Sequence, residues 1–142
     1  MKTIITFFAF ALFLFFLSCG EDSPTDSTIR TYKYTGYDSS WNKVVSGYLW
    51  IDKIDSVEVT GRWDFKQVGI TQNIGPQIGK GIFKGASNMF GTLSLNLNPG
   101  FVDNNVFLNG SLQLPNEFNG SWQYIGFPGQ INWGRFKATQ LR

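Results

Sequence analysis

Apolar and polar residues alternate with a period of two along most of the chain after residue 28, and no stretch there shows sustained helical spacing. The clearest example is 57–66, where odd positions are apolar or glycine and even positions are polar or charged. Such alternation is typical of an antiparallel strand with one buried and one solvated face. It predicts strands at 30–37, 45–52, 57–66, 79–85, 90–98, 105–114, 117–125 and 132–140.

Each predicted strand carries a glycine on its apolar phase, namely Gly36, Gly47, Gly61, Gly81 or Gly85, Gly91, Gly110, Gly120 and Gly134. Glycine weakens a strand interior, so its repeated use indicates either sharp coiling around a narrow barrel or a filled interior with glycines opposite aromatics. Eight strands with short links favour a barrel without exposed edges over a two-sheet sandwich. The predicted fold class is therefore all-β, an eight-stranded antiparallel up-and-down barrel after an N-terminal signal segment and linker.

The predicted links alternate in length along the chain. Three of them are tight, at 53–56, 86–89 and 115–116, whereas the other four, at 38–44, 67–78, 99–104 and 126–131, are longer. Alternate links of an up-and-down barrel share one end. We therefore expect every long loop at one end of the barrel, and both chain termini at the other.

A glycine–aromatic rhythm accompanies these strands, from Tyr34-Thr35-Gly36-Tyr37 in the first to Gly120-Ser121-Trp122 in the seventh. In strand number and in this rhythm the domain resembles the calycin class, which includes lipocalin- and avidin-type barrels. The resemblance implies a barrel that is filled by its own side chains or holds one small ligand. The lipocalin Gly-x-Trp is not matched in the first strand, and Trp41 lies too far on. No family site residue is therefore carried over.

A different pattern precedes the strands. An apolar run from Ile4 to Leu17 follows Lys2 and ends at Ser18-Cys19-Gly20. It is short for a membrane-spanning helix and typical of a secretion signal. The only cysteine of the chain, Cys19, directly follows it, and this arrangement resembles the lipobox of bacterial lipoproteins, with Phe16 where that pattern usually has leucine. The resemblance implies cleavage before Cys19 and acylation of its thiol; the alternative is an ordinary signal peptide with a free thiol.

Residues 20–28 are polar and acidic, which predicts an extended tether. Glu21 and Asp22, just after the cysteine, resemble the surface-export signals of Bacteroidetes lipoproteins. Asp26-Ser27-Thr28 and Asp55-Ser56-Val57 resemble the O-glycosylation motif of the same group, and we interpret the second as a turn.

The chain is thus divided into a lipoprotein signal peptide (1–18), a lipidated cysteine with a flexible linker (19–28) and a β-barrel domain (29–142). The expected location is the bacterial outer membrane, where the lipid holds the domain on either the periplasmic or the cell-surface side.

Charge and composition narrow the range of functions. Removal of Lys2 leaves 11 basic residues, one fewer than the 12 of the whole chain, against 10 acidic residues. A near-neutral domain without basic clusters argues against a nucleic-acid partner. The chain has no histidine, and acylation of Cys19 leaves no thiol nucleophile or soft metal ligand. Asp52 and Asp55 flank a tight turn, and a calcium site there needs more oxygen ligands. We therefore predict no enzyme, no cofactor and no metal site.

Three surfaces remain as candidates for binding. The uncharged interior offers aromatic residues that either line a ligand or form the core: Trp63, Phe65, Phe83, Trp122, Tyr124 and Phe136. The loop end offers Trp41, Phe101 and Phe127, with Ile70, Ile74 and Val102; we expect some to plug the mouth and others to contact a protein or a sugar. The outer wall offers Tyr48, Trp50, Phe107, Ile125, Ile131 and Trp133, which would indicate a protein interface if they join into a patch.

The predicted function is a membrane-anchored, cell-envelope lipoprotein whose calycin-like barrel binds a small apolar or weakly polar ligand or presents a binding surface. Its partners are then the membrane, through the N-terminal lipid, and either a small apolar ligand or a protein. The alternative is a structural or protein-interaction barrel, inhibitor-like, with a filled core. The interior separates the two hypotheses, because a ligand needs a cavity.

Overall fold

The computed structural model describes residues 29–55, 57–70, 72–113 and 116–142. They form eight strands, at the places in the chain that the alternation predicts. The strands are β1 (Arg30–Asp38), β2 (Lys43–Ile54), β3 (Val59–Gln67), β4 (Gly79–Ser87), β5 (Thr92–Asn96), β6 (Asn104–Gln113), β7 (Glu117–Gly126) and β8 (Gly129–Gln140).

The strands close into one barrel in which each is hydrogen-bonded to its neighbours in the chain and β8 is paired with β1. Every pairing is antiparallel. The prediction of an up-and-down antiparallel barrel is therefore confirmed. Within the described ranges, no helix is long and apolar enough to cross a membrane.

The core lies inside the barrel and is built from the inward phase of every strand. Tyr34 of β1, for example, is paired with Gly47 of β2 and Ala138 of β8, so that all three face the interior. The buried hydrophobic residues are Tyr32, Tyr34, Val44, Val45, Leu49, Ile51, Val59, Trp63, Phe65, Ile74, Phe83, Leu93, Leu95, Leu97, Val106, Leu108, Phe118, Trp122, Phe136 and Ala138.

Inward glycines make room for aromatic rings on the next strand. Gly134 of β8 is paired with Trp122 of β7, and a methyl group added to Gly134 would lie 2.7 Å from the indole. Gly61 of β3 is paired with Phe83 of β4 in the same way, with 2.5 Å between the added carbon and the ring. These positions accord with the interpretation of glycines opposite aromatics in a filled interior.

Two residues that were predicted to face inward from a strand lie outside the strands of the structure. Val57 was assigned to the inner face of the third strand, but β3 begins at Val59 and Val57 is exposed in the turn before it. Gly91 was assigned to the fifth strand, but it lies in the turn before β5, where Asn88 fixes the backbone. Leu114, predicted at the end of the sixth strand, lies outside the described residues.

Both long loops lie at one end of the barrel, as predicted, but only two of the four links that were predicted to be long are long. The β3–β4 link (68–78) and the β5–β6 link (97–103) are long, but the β1–β2 link is 39–42 and the β7–β8 link is 127–128. Strand pairing continues further than the alternation indicated, because Lys43 and Gly129 still belong to their ladders. We call the end that carries these four links the loop end. Both termini of the described chain lie at the opposite end, as predicted.

Candidate functional site

The six predicted ligand-lining residues all belong to the interior. Five of them, Trp63, Phe65, Phe83, Trp122 and Phe136, keep at most 5% of their surface exposed, and Tyr124 is partly buried against them. Side chains that border a water-sized cavity would keep accessible area on its walls, so these values indicate direct packing.

The aromatic rings in the interior contact one another. Tyr34 stacks on Phe65 with 4.2 Å between ring centroids, and Phe118 meets the edge of Phe136 at 4.8 Å. Trp63 lies 5.2 Å from Phe65. The rings therefore occupy the space that a ligand would need.

The β3–β4 link closes the mouth of the barrel. Ile74 is part of the core, and Gln77 is fully buried and donates from Nε2 to the Ile74 carbonyl at 2.6 Å. Gly75 has φ of +69° and passes so close over Tyr124 that an added Cβ would lie 2.6 Å from the ring. This segment is therefore a plug that seals the filled interior.

Polar groups inside the barrel are few, and the N–H groups of its two buried indoles both have a partner. Trp63 Nε1 donates to the Leu97 carbonyl at 3.0 Å, and Trp122 Nε1 donates to the Tyr37 carbonyl at 2.8 Å. The Tyr34 hydroxyl is buried and has no hydrogen-bond partner among the described residues. Burial raises the pKa of Tyr34, so this hydroxyl stays neutral.

The three predicted loop-end contacts are all exposed. Trp41 lies in the β1–β2 link, Phe101 in the β5–β6 link and Phe127 in the β7–β8 link. Ile70 and Val102 are exposed at the same end, whereas Ile74 belongs to the plug. The structure thus separates these apolar loop residues into one that plugs the mouth and several that point into solvent.

Trp41 is held rigidly by the turn that carries it. Asp38 Oδ1 accepts hydrogen bonds from the Ser40 and Asn42 backbone N–H groups at 2.9 and 2.8 Å, and Asn42 Nδ2 donates to Asp38 Oδ2. These bonds hold the pKa of Asp38 below its ordinary value, with the Asn42 side chain as the main cause. Trp41 has φ of +67°, an uncommon and strained value for a bulky residue.

Trp41 belongs to a cluster that the chain brings together from β1, the β1–β2 link and β8. The Arg135 guanidinium lies over the Trp41 ring at 4.6 Å and near the Trp133 ring at 6.0 Å, and Tyr37 lies 5.7 Å from Trp41. Trp41 is 60% exposed and Trp133 is 41% exposed. We call these four residues, Tyr37, Trp41, Trp133 and Arg135, the Arg135 cluster.

Sequence reasoning missed Arg135 and placed Trp133 only on the outer wall. Ile131, Trp133 and Arg135 alternate with inward residues on β8, so their shared outward face was a usable signal. Their contact with Trp41 depends on closure of the barrel between β8 and β1, which pairs Arg135 with Tyr37. Among the described residues, the contacts of the Arg135 side chain are with the Trp41 and Trp133 rings, and it forms no ion pair.

Two depressions lie on the outer wall of β1–β4 rather than inside the barrel. One, of about 260 Å³, is lined by Lys33, Ser46, Gly47, Tyr48, Asp64 and Lys66. The other, of about 320 Å³, lies beside it around Trp50, Arg62 and Ile82. Arg62 is already engaged there, by Asp52 at 3.2 Å and by the Trp50 ring at 5.7 Å.

The acidic turn after β2 has a structural role. Asp55 Oδ1 accepts from the backbone N–H groups of Val57 and Glu58 at 2.8 and 2.7 Å, and Lys53 Nζ pairs with Oδ2 at 2.7 Å. This geometry accords with the interpretation of Asp55 as a turn residue. Among the described residues, no three carboxylate, histidine or cysteine side chains converge as metal ligands would. Cys19 and the signal segment lie outside the described residues.

Comparison with known proteins assigns no family. No family model matches the chain, and neither the curated proteins nor the solved structures contain a significant match to it.

Proposed function

We propose that this chain is a lipid-anchored protein of the bacterial cell envelope whose barrel supports a protein-binding surface at the loop end. The observation that carries the proposal is the combination of a filled, plugged interior with an exposed, rigid Arg135 cluster. The proposal adopts the second of the two hypotheses drawn from the sequence, a protein-interaction barrel with a filled core.

The composition of the Arg135 cluster supports a protein partner. Tryptophan, tyrosine and arginine are the residue types that most often dominate protein–protein binding energy. The cluster combines two exposed indoles with a guanidinium that has no ion pair among the described residues, so a partner surface with an apolar pocket and a carboxylate or carbonyl group would match it. The fixed turn around Trp41 lowers the ordering cost of binding.

The strained backbone of Trp41 also supports a binding role for the Arg135 cluster. A left-handed backbone at a bulky residue costs stability and persists where the surroundings impose it, often at functional sites. Phe101 and Phe127 extend apolar surface to other links at the same end. Binding, rather than catalysis or recognition of nucleic acid, is therefore the activity that we propose.

The anchor in this proposal is an acyl group on Cys19, placed there by lipoprotein processing. It would hold the domain on the outer membrane, on the periplasmic or the cell-surface side. The linker would leave from the end opposite the loop end, so the Arg135 cluster would face away from the bilayer. The calycin likeness then concerns the strand architecture and not a ligand site.

Site-specific photo-crosslinking tests the binding surface. A benzophenone amino acid replaces Trp41 in the chain expressed in its own cells, and a matched control replaces Lys66, which is exposed on β3. We expect one discrete adduct with a second protein from position 41, lost with Arg135→Gln, and none from position 66. Absence of an adduct at position 41, or the same pattern at both positions, would overturn the proposal.

Intact mass of the membrane fraction tests the anchor. We expect a chain that begins at residue 19 with added acyl mass, and no such species from the Cys19→Ala variant. An unmodified Cys19 in membrane-bound protein would contradict lipidation but leave the proposed binding surface open to the crosslinking test.

A further inference from the structure

The end of the barrel opposite the loop end also exposes apolar side chains. Its two described turns, at 55–58 and 88–91, project Val57, Met89 and Phe90, which are 81%, 91% and 84% exposed. Ile29 and Leu141, which flank β1 and β8, are exposed at the same end of the barrel. We call these five residues the terminal face.

The turns hold the apolar side chains of the terminal face outward. Asn88 Oδ1 accepts from the Phe90 and Thr92 backbone N–H groups at 2.9 and 3.0 Å, and the Gly91 N–H donates to the Asn88 carbonyl at 3.1 Å. Asp55 fixes the other turn in the same manner through Val57 and Glu58. The backbone of both turns is therefore fixed, and their apolar side chains are exposed to solvent.

Three ion pairs lie near the terminal face. Ion pairs join Lys53 to Asp55 at 2.7 Å, Lys84 to Glu58 at 3.8 Å and Lys137 to Glu117 at 3.0 Å. Paired charges neither attract nor repel a lipid surface strongly, so the two turns offer a lipid surface mainly apolar contact.

The linker brings this end close to the point of anchoring. Ten residues, the number from 20 to 29, can span at most about 35 Å. A lipid on Cys19 would therefore hold the barrel near enough for the terminal face to reach the bilayer. This orientation rests on the anchor proposed above, whereas the exposed apolar turns do not depend on it.

We propose that the terminal face docks on the lipid surface, with Met89 and Phe90 inserted at the boundary between headgroups and acyl chains. Exposed apolar and aromatic side chains favour this boundary, and a single weak contact becomes effective when a tether keeps it near. The bilayer thereby becomes a second attachment that orients the barrel, with the Arg135 cluster pointing away.

The experiment uses residues 20–142 without the natural lipid. All eight strands lie within this part of the chain and close the barrel by themselves, so it carries the whole fold. An N-terminal histidine tag binds it to phosphatidylcholine vesicles that contain a small fraction of nickel-chelating lipid. Because Cys19 is the only cysteine of the natural chain, Val57→Cys provides a single labelling site for an environment-sensitive fluorophore.

On these vesicles we expect a blue shift and a rise in emission from the fluorophore at position 57, and none from a fluorophore at Phe101→Cys, at the loop end. Met89→Ser with Phe90→Ser should reduce the rise at position 57 about fivefold, because the inserted apolar surface is lost. The matched pair Val102→Ser with Phe127→Ser, equally exposed at the loop end, should leave it unchanged.

No shift at position 57, or equal shifts at both ends, would overturn the docking proposal. Because the tag replaces the natural anchor, this result is independent of lipidation. If Cys19 is lipidated but the fluorophore shows no shift, the anchor is supported and docking is rejected. If the fluorophore shifts but Cys19 is unmodified, docking is supported and the anchor is rejected.

Discussion

Trp41 and Gly91 occupy the same position in two turns with the same hydrogen-bond pattern. Each turn begins with a side chain, Asp38 or Asn88, whose oxygen accepts from the backbone N–H groups two and four residues later. In both, the residue three positions on donates back to the first carbonyl and has positive φ, +67° at Trp41 and +74° at Gly91. The chain thus places tryptophan where the second turn has the residue best suited to this backbone.

Substitution of Trp41 by glycine and by alanine separates the backbone cost from the loss of the ring. Both variants lose the contact with Arg135, but only alanine keeps the strained left-handed backbone. We expect the free energy of unfolding of the Trp41→Gly variant to be about 1 kcal/mol higher than that of Trp41→Ala. Chemical denaturation of the two variants measures the difference.

The matching change in the other turn is the control. Gly91→Ala should lower the free energy of unfolding by a similar amount, about 1 kcal/mol, because it places a side chain at the same backbone position. Equal stabilities of Trp41→Gly and Trp41→Ala would show that Trp41 bears no backbone strain and would weaken the argument for its functional placement.

The Tyr34 hydroxyl offers a second test of the filled interior. It is buried between Phe65 and Phe136 and has no partner among the described residues. We expect Tyr34→Phe to raise the free energy of unfolding by about 1 kcal/mol, since an unpaired buried hydroxyl is costly. Denaturant unfolding of the natural chain and the variant at neutral pH measures this difference in free energy.

Tyr32 is the matched control for Tyr34. Its side chain is as little exposed as that of Tyr34, but its hydroxyl lies in a less buried place and is hydrogen-bonded to the Arg30 side chain. Tyr32→Phe is therefore expected to lower the free energy of unfolding by about 1 kcal/mol. Destabilisation by both substitutions would mean that a buried water satisfies Tyr34.

The fold could be predicted from the sequence because the alternation is local and repeats in every strand. Strand ends were less predictable, since Val57 and Gly91 continue the apolar phase although side-chain caps at Asp55 and Asn88 turn the backbone there. Ile74 and Ile70 look alike in the sequence, yet only Ile74 reaches the core. The Arg135 cluster joins residues almost a hundred positions apart, and only closure of β8 on β1 brings them together.

Gly134 tests the close fit between glycines and aromatics. An added methyl would meet the Trp122 ring and the Tyr37 carbonyl, which accepts the indole hydrogen bond. We expect Gly134→Ala to lower the free energy of unfolding by about 2–4 kcal/mol through overpacking and loss of that bond. Gly100→Ala, where nothing lies within 4 Å of the added carbon, should change it by less than about 0.5 kcal/mol. Similar effects at both positions would argue that glycine contributes only through chain entropy.

The lowered pKa of Asp55 leads us to expect that the free energy of unfolding falls in acid. The Lys53 ammonium and the backbone N–H groups of Glu58 and Val57 lower the pKa of Asp55 from 3.8 to about 2. Because the folded-state pKa lies below the unfolded value, the stabilisation is fully present above about pH 4 and is lost as the pH falls towards 2. Asp55→Asn keeps an oxygen for the turn but removes the charge, so the advantage of the natural chain over this variant should shrink over the same range. Urea midpoints between about pH 5 and pH 2 measure this difference in stability.

Asp103→Asn removes an exposed carboxylate without an ion pair in the described residues and so controls for net charge. A constant difference between the natural chain and Asp55→Asn across this range would refute the assignment.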